Sequence, residues 1–199
     1  MVCGYNLRTM NAPGVTHGRR TFFAPVWIAV LTALGVLAIA WGLWRSTSTT
    51  SVIVLRHAEK QLGKIPDPPL TAEGERRALR LAEMFSAPNG SLGRVTAVYA
   101  SDTRRAMQTA TPLVQRLGLA VRNYDSSDVD ALVRSIRADC DGGVVVVVGH
   151  SNTVPQIVAA LSRGRFAAQS LTLADADFGS IYVVTVPTWA PAALVRLRY

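Results

Sequence analysis

The chain has 199 residues, 49% of them hydrophobic and 17% charged, with a formal net charge of +8. That length holds one domain of ordinary size plus an appendage, and the apolar fraction excludes a disordered chain. The positive charge is almost all arginine, with only Lys60 and Lys64 as lysines. It is scattered and forms no basic run or nucleic-acid motif, so no nucleic-acid partner is expected.

Residues 1–21 form a basic tail with Arg8, Arg19 and Arg20. Up to Arg45 there is no acid, so all 13 acids lie further on. From Phe22 to Trp44 runs FFAPVWIAVLTALGVLAIAWGLW, uncharged, with Thr32 its only clearly polar side chain. A helix over 22–44 would span about 35 Å, enough for a hydrocarbon core of about 30 Å. Phe22, Phe23 and Trp27 at one end and Trp41 and Trp44 at the other suit the two interfaces, and Pro25 falls in the tolerated first turn. A single-pass signal anchor is therefore expected. Arg19 and Arg20 in front of it favour a cytoplasmic tail and an extracytoplasmic domain. Two alternatives remain: cleavage after the A-x-A form Ala38-Ile39-Ala40, and a twin-arginine export signal in RRTFF.

Residues 45–50 read as a polar linker, and a domain is expected over 51–199. Val52–Leu55 predicts a buried strand. Thr71–Ala87 predicts a helix with Thr71 as N-cap. Val95–Ala100 is a second strand, and Ser101 is expected to cap a helix running to about Leu117, disturbed at Pro112. Ala120–Tyr124 predicts a strand and Ser127–Ala138 a helix. After Gly142-Gly143, the five valines of Val144–Val148 predict a strand covered on both faces. Thr153–Leu161 predicts a helix, and Ser180–Val186 with Ala193–Arg198 a hairpin. This alternation implies a three-layer α/β domain with a mainly parallel sheet.

Ligands of such sheets bind beyond the carboxyl ends of the strands. There the sequence places Arg56-His57 after the first strand, Arg104 and Arg105 in the helix after the second, and Gly149-His150-Ser151 after the valine strand. Arginines offer permanent, bidentate charge to a phosphoryl group. A neutral imidazole can attack phosphorus, and a second histidine can donate to an equatorial oxygen. Such a site needs no metal or other cofactor. Cys3 and Cys140 form no C-x-x-C, and three histidines make a zinc site unexpected.

Four blocks taken together resemble the histidine phosphatase superfamily, the phosphoglycerate mutase-like fold. They are RHAEK from Arg56, PLTAEG at Pro69–Gly74, SDTRRAMQTA at Ser101–Ala110 and VVGHSNTV around His150, in order across nearly all of 51–199. The resemblance implies that His57 is the nucleophile, that Arg56 and Arg105 bind phosphate, and that His150 is the second pocket histidine. Ser151 is either a phosphate contact or a helix cap. Glu59 reads as a brace for the loop, Arg104 as solvent-facing, Thr71, Gln108 and Thr109 as fold residues, and His17 as a solvated tail residue.

The chain departs from larger members at two points. Gln61, Gly63 and Lys64 occupy a loop where many have an asparagine. After the third strand, where many carry a glutamate that protonates the leaving group, Asp125 is the only well-placed carboxylate, and it serves equally well as a turn or cap residue. The small, insertion-free domain lacks an obvious lid and argues against a mutase. The expected activity is a phosphohydrolase acting on a small-molecule, lipid or protein phosphate. The alternatives are an inactive membrane-bound phosphate- or protein-binding relative and, from the strand–turn–helix setting of Ser151, a serine hydrolase, although Thr153 stands where that pattern demands glycine.

Overall fold

The computed structural model describes residues 26–46, 49–87, 93–139, 142–171, 173–188 and 190–199. The tail with Cys3, His17, Arg19 and Arg20, residues 22–25, linker residues 47 and 48, and Cys140 lie outside these ranges. Contacts divide the chain into two compact units, with the boundary between Ala40 and Trp41.

Helix α1 (Val26–Ser46) has 21 residues, about 31 Å at the usual rise. Residues 26–43 are exposed around the whole circumference. Thr32 returns its hydroxyl to the carbonyls of Ile28 and Ala29 at 3.0 and 2.9 Å, so its polar group is satisfied within the helix. Val26–Leu43 is long and apolar enough to cross a membrane.

The first strand begins earlier than the sequence implies. β1 (Thr49–Arg56) takes in Thr49, Thr50 and Ser51, which pair antiparallel with Pro187, Val186 and Thr185. Backbone pairing needs no apolar side chain, so a polar segment expected as linker extends the ladder instead. There follow α2 (Ala72–Ser86), β2 (Val95–Ser101), α3 (Arg104–Leu117), β3 (Val121–Tyr124), α4 (Val129–Asp139), β4 (Gly143–Gly149), α5 (Thr153–Leu161), β5 (Ser180–Pro187) and β6 (Ala193–Arg198). The six strands lie in the order β3-β2-β4-β1-β5-β6. The first four are mutually parallel, and the β5–β6 hairpin adds antiparallel at the β1 edge.

Alternation along the strands builds two cores, one on each face of the sheet. Ile53, Leu55, Val144, Val146 and Val148 pack with Leu81, Phe85, Ala106, Ala110 and Leu113 of α2 and α3. Val52, Val54, Val145 and Val147 pack on the other side with Leu132 and Ile136 of α4 and Ile157 and Leu161 of α5. All five valines of β4 are at most 2% exposed, each contributing roughly 1.5–3 kcal/mol of burial. This is a three-layer α/β fold in which β4 is central. α3 stays helical through Pro112.

One of the expected caps differs. Ser101 is the fully buried last residue of β2 rather than a helix cap. α3 has Thr103 at its N-cap without a side-chain bond, and the carboxylate of Asp67, distant in sequence, accepts from Arg104 N–H at 3.0 and 2.8 Å. Thr71 does cap α2, accepting from Gly74 N–H at 3.1 Å. Gly74 itself is required by contact, because a Cβ there would collide with the carbonyl oxygen of Glu59. The helix thereby presses on the backbone of the loop after β1, and Glu59 is held from above by Arg77, whose Nε donates to both carboxylate oxygens at 2.8 and 2.9 Å. Since backbone cannot yield as a side chain does, Gly74→Ala is expected to destabilise the domain by about 1–3 kcal/mol. Urea denaturation of the full chain in detergent would measure this as a lowered midpoint.

Candidate active site

Strand register assembles the site. Arg56 pairs with Gly149 across the β1–β4 ladder, and the ladder runs one step further, His57 N–H donating to Gly149 O at 3.0 Å. His57 and His150 therefore emerge side by side, with ring centroids 5.2 Å apart and planes at 65°. β2 pairs Ala100 with Val148, which brings Ser101 level with the same edge. Gly149 has no room for a side chain, since a Cβ would lie 2.8 Å from Thr153 Oγ1 and 3.0 Å from Tyr124 Oη. Thr153 uses that proximity to accept the His150 N–H at 2.9 Å.

The hydrogen bonds fix the state of both imidazoles. His57 Nδ1 lies 2.7 Å from Ala58 O. A carbonyl only accepts, so Nδ1 carries the hydrogen and Nε2 keeps its lone pair. That Nε2 accepts from Arg105 Nε at 3.2 Å. His150 Nδ1 faces Arg105 Nη2 at 3.5 Å. A guanidinium only donates, so His150 holds its hydrogen on Nε2, 2.9 Å from Ser101 Oγ. In this arrangement His150 is an acceptor toward the cavity, and to donate to an oxyanion it must first become an imidazolium.

Burial and the two arginines keep both rings neutral. His57 is 3% exposed, and desolvation, aided by His150, Arg105 and Arg56, pushes it down to about 3. His150 is pushed down to about 4 by the same burial and by Arg105 and Arg56. Arg56 is buried against Phe178, its guanidinium 4.4 Å from the ring centroid. Its Nη1 donates to Ala174 O and Asp175 O at 3.2 and 2.8 Å, while its buried Nε has no partner among the described residues. Burial lowers Arg56, and Asp175 and Asp177 oppose that shift. Arg105 also reaches Asp67 at 3.4 Å.

These groups wall a cavity of about 380 Å³ lined by Arg56, His57, Lys60, Thr103, Arg105, Ser126, His150, Ser151, Asn152 and Asp175. Five of the expected residues meet here: Arg56, His57, Arg105, His150 and Ser151. Asp125 does not join them. It is fully exposed, and its carboxylate accepts from Ser127 N–H and Oγ at 2.8 and 2.7 Å, bonds that lower its pKa. It closes the turn before α4, and its neighbour Ser126 lines the cavity in its place. Ser151 caps no helix, since Asn152 occupies the N-cap of α5. Both nitrogens of each histidine are engaged elsewhere, so Ser151 has no imidazole to act as its base.

Sequence reasoning missed Lys60, Asp67, Ser101, Asp175 and Phe178. Ser101 was available in principle as the polar residue ending a strand level with Gly149. The others reach the site through loops whose course no periodicity predicts.

Two arginines and two neutral imidazoles thus face one cavity. Residues 52–126 match the model of the histidine phosphatase superfamily (branch 1). The structural neighbours share the α/β fold of this chain. No curated protein matches the chain by sequence. The protein histidine phosphatase SixA, solved with tungstate, is 21% identical with a TM-score of 0.59, covering 74% of this chain and 96% of its own. A mycobacterial glucosyl-3-phosphoglycerate phosphatase is 19% identical with a TM-score of 0.56, over 73% and 97% of the two chains. Its complex with inorganic phosphate gives 20% and 0.55, over 75% and 96%. At such identities the likeness establishes the fold.

The depressed pKa of the two histidines has a testable sign. Each folded value lies below that of the free side chain near 6.5, so the unfolded chain binds protons that the folded one refuses. Stability is intact above about pH 6.5 and is lost as pH falls toward 4 and then 3, with a slope of up to about 1.4 kcal/mol per pH unit for each histidine. Nitrogen-15 NMR at pH 5.5 should find His57 neutral with its hydrogen on Nδ1, where an unperturbed histidine is about 90% protonated.

Proposed function

We propose that this chain is a membrane-anchored, metal-independent phosphohydrolase that passes the phosphoryl group through His57. The observation that carries the reading is the bond from His57 Nδ1–H to Ala58 O at 2.7 Å. It leaves the Nε2 lone pair in a cavity lined by Arg56, Arg105 and His150. A phosphoryl group entering there would replace the Arg105 Nε–His57 Nε2 contact, with Arg105 turning its donors to the equatorial oxygens and the unpartnered Arg56 Nε offering another. His57 Nε2 then attacks phosphorus in line, and water releases phosphate from the phosphohistidine. Proton uptake by His150, favoured once an anion sits beside it, makes it a donor to the developing charge.

Rapid quench with labelled substrate should trap acid-labile, base-stable phosphate on the wild-type protein. His57→Ala should leave essentially no turnover, whereas Arg105→Ala should retain activity reduced by about 10²–10³-fold, as for one preorganised oxyanion donor. A chelator should leave activity nearly unchanged, since Arg56 and Arg105 supply the neutralising charge. Substantial turnover by His57→Ala would favour the binding-module reading.

Helix α1 supports the membrane part of the proposal. It is apolar on every side, and residues 26–43 are unburied, whereas the core helix of a soluble protein buries most of its surface. The basic tail favours a cytoplasmic N-terminus and an extracytoplasmic domain. Alkaline carbonate should fail to extract the protein, and a reporter fused after Tyr199 should read extracytoplasmic. A soluble product beginning near Trp41 would mean cleavage.

A further inference from the structure

We propose that Asp175 is the acid that protonates the leaving group as His57 takes the phosphoryl group, and the base for the water that then releases it; this rests on the phosphohydrolase reading above. Among the described residues Asp175 is the only acidic residue lining the cavity. Every other acid near the site is committed elsewhere or absent from that wall. Glu59 is paired with Arg77, Asp67 holds the N-terminus of α3 and Arg105, and Asp125 closes its turn on Ser127. Asp102 and Asp177 do not line the cavity.

The loop carrying Asp175 is fixed at both ends. Ahead of the side chain, the carbonyls of Ala174 and Asp175 accept from Arg56 Nη1. Behind it, Asp177 accepts from Ser180 Oγ at 2.7 Å and Arg196 Nη2 at 2.9 Å, and Phe178 lies under the Arg56 guanidinium. Asp175 and Asp177, two residues apart, thus have opposite roles: the first is exposed at the cavity and the second is held by Ser180 and Arg196. No hydrogen bond or ion pair among the described residues engages the Asp175 carboxylate.

The steps balance. As the Nε2–P bond forms and the P–O bond breaks, Asp175–COOH gives its proton to the departing oxygen and becomes the carboxylate. In the second step water gives a proton to that carboxylate while its oxygen bonds to phosphorus and the N–P bond breaks. Phosphate leaves, and both His57 and Asp175–COOH are restored.

The test compares kcat/KM of the full chain in detergent on glycerol phosphate and on p-nitrophenyl phosphate, whose leaving group needs no proton. Asp175→Asn should lower the alkyl value by about 10²–10⁴-fold, the range of general acid–base catalysis, and the aryl value by less than about threefold. Because the second step loses its base, phosphohistidine should accumulate as a burst on the aryl substrate. Asp175→Glu should recover part of the alkyl activity, and Asp125→Asn should leave both substrates unaffected. Retained vanadate binding by Asp175→Asn would show an intact pocket. Equal losses on the two substrates, or none, with the wild type active would overturn the role of Asp175 alone. A wild type inactive on every ester tested would instead overturn the phosphohydrolase reading.

Discussion

The site depends on the hydrogen bond from His57 N–H to Gly149 O, which continues the β1–β4 ladder past the last paired residues. It sets the two chain ends level, so the histidines leave adjacent strands at the same height. Gly149 permits this because it alone leaves space for Thr153 Oγ1 and Tyr124 Oη. Shifting the register by one residue would turn each strand's side chains to the opposite face, so every valine would have to repack in the other core. The same packing that stabilises the sheet therefore fixes the separation of the two imidazoles.

Once register has brought Arg56, Arg105, His57 and His150 together, electrostatics decides their state. Two guanidiniums and two imidazoles line one cavity. The cheapest way to limit repulsion is to keep both imidazoles neutral, which is also the state a nitrogen nucleophile requires. On the proposed function, an entering phosphoryl anion would relieve the arginines and favour a proton on His150. Asp67 beside Arg105 offsets part of the positive charge meanwhile.

The pocket is supported from behind by polar bonds. Thr109 Oγ1 accepts the Ala58 N–H at 3.0 Å and donates to Arg105 O at 2.8 Å, coupling the loop after β1 to the helix that carries Arg105. Gln108 Oε1 accepts the Leu70 N–H at 2.8 Å, and Thr71 N–H donates to Glu59 O at 2.9 Å. These contacts give a physical reason for the PLTAEG and TRRAMQTA blocks: they join α2 and α3 to one short loop. Removing any one leaves a buried donor unpaired, at a cost of about 1–3 kcal/mol.

Much of this was legible along the chain because it depends on local pattern. The continuous valines of β4 marked a strand buried on both faces, Thr71 marked the start of a helix, and residues ending β1 and β4 had to meet once the sheet was parallel. Tertiary structure decided what depends on partners distant in sequence. The polar residues Thr49–Ser51 became strand because β5 lay beside them, and Ser101 turned from helix cap to partner of His150. Asp67 capped α3 from a loop 37 residues away. The choice between Asp125 and Asp175 was of the same kind. One closes its turn on Ser127, whereas the backbone carbonyls at Ala174 and Asp175 accept from Arg56, which brings Asp175 to the cavity wall. Periodicity determines which face of an element is buried, but the course of a loop is set by the few polar bonds it finds in three dimensions.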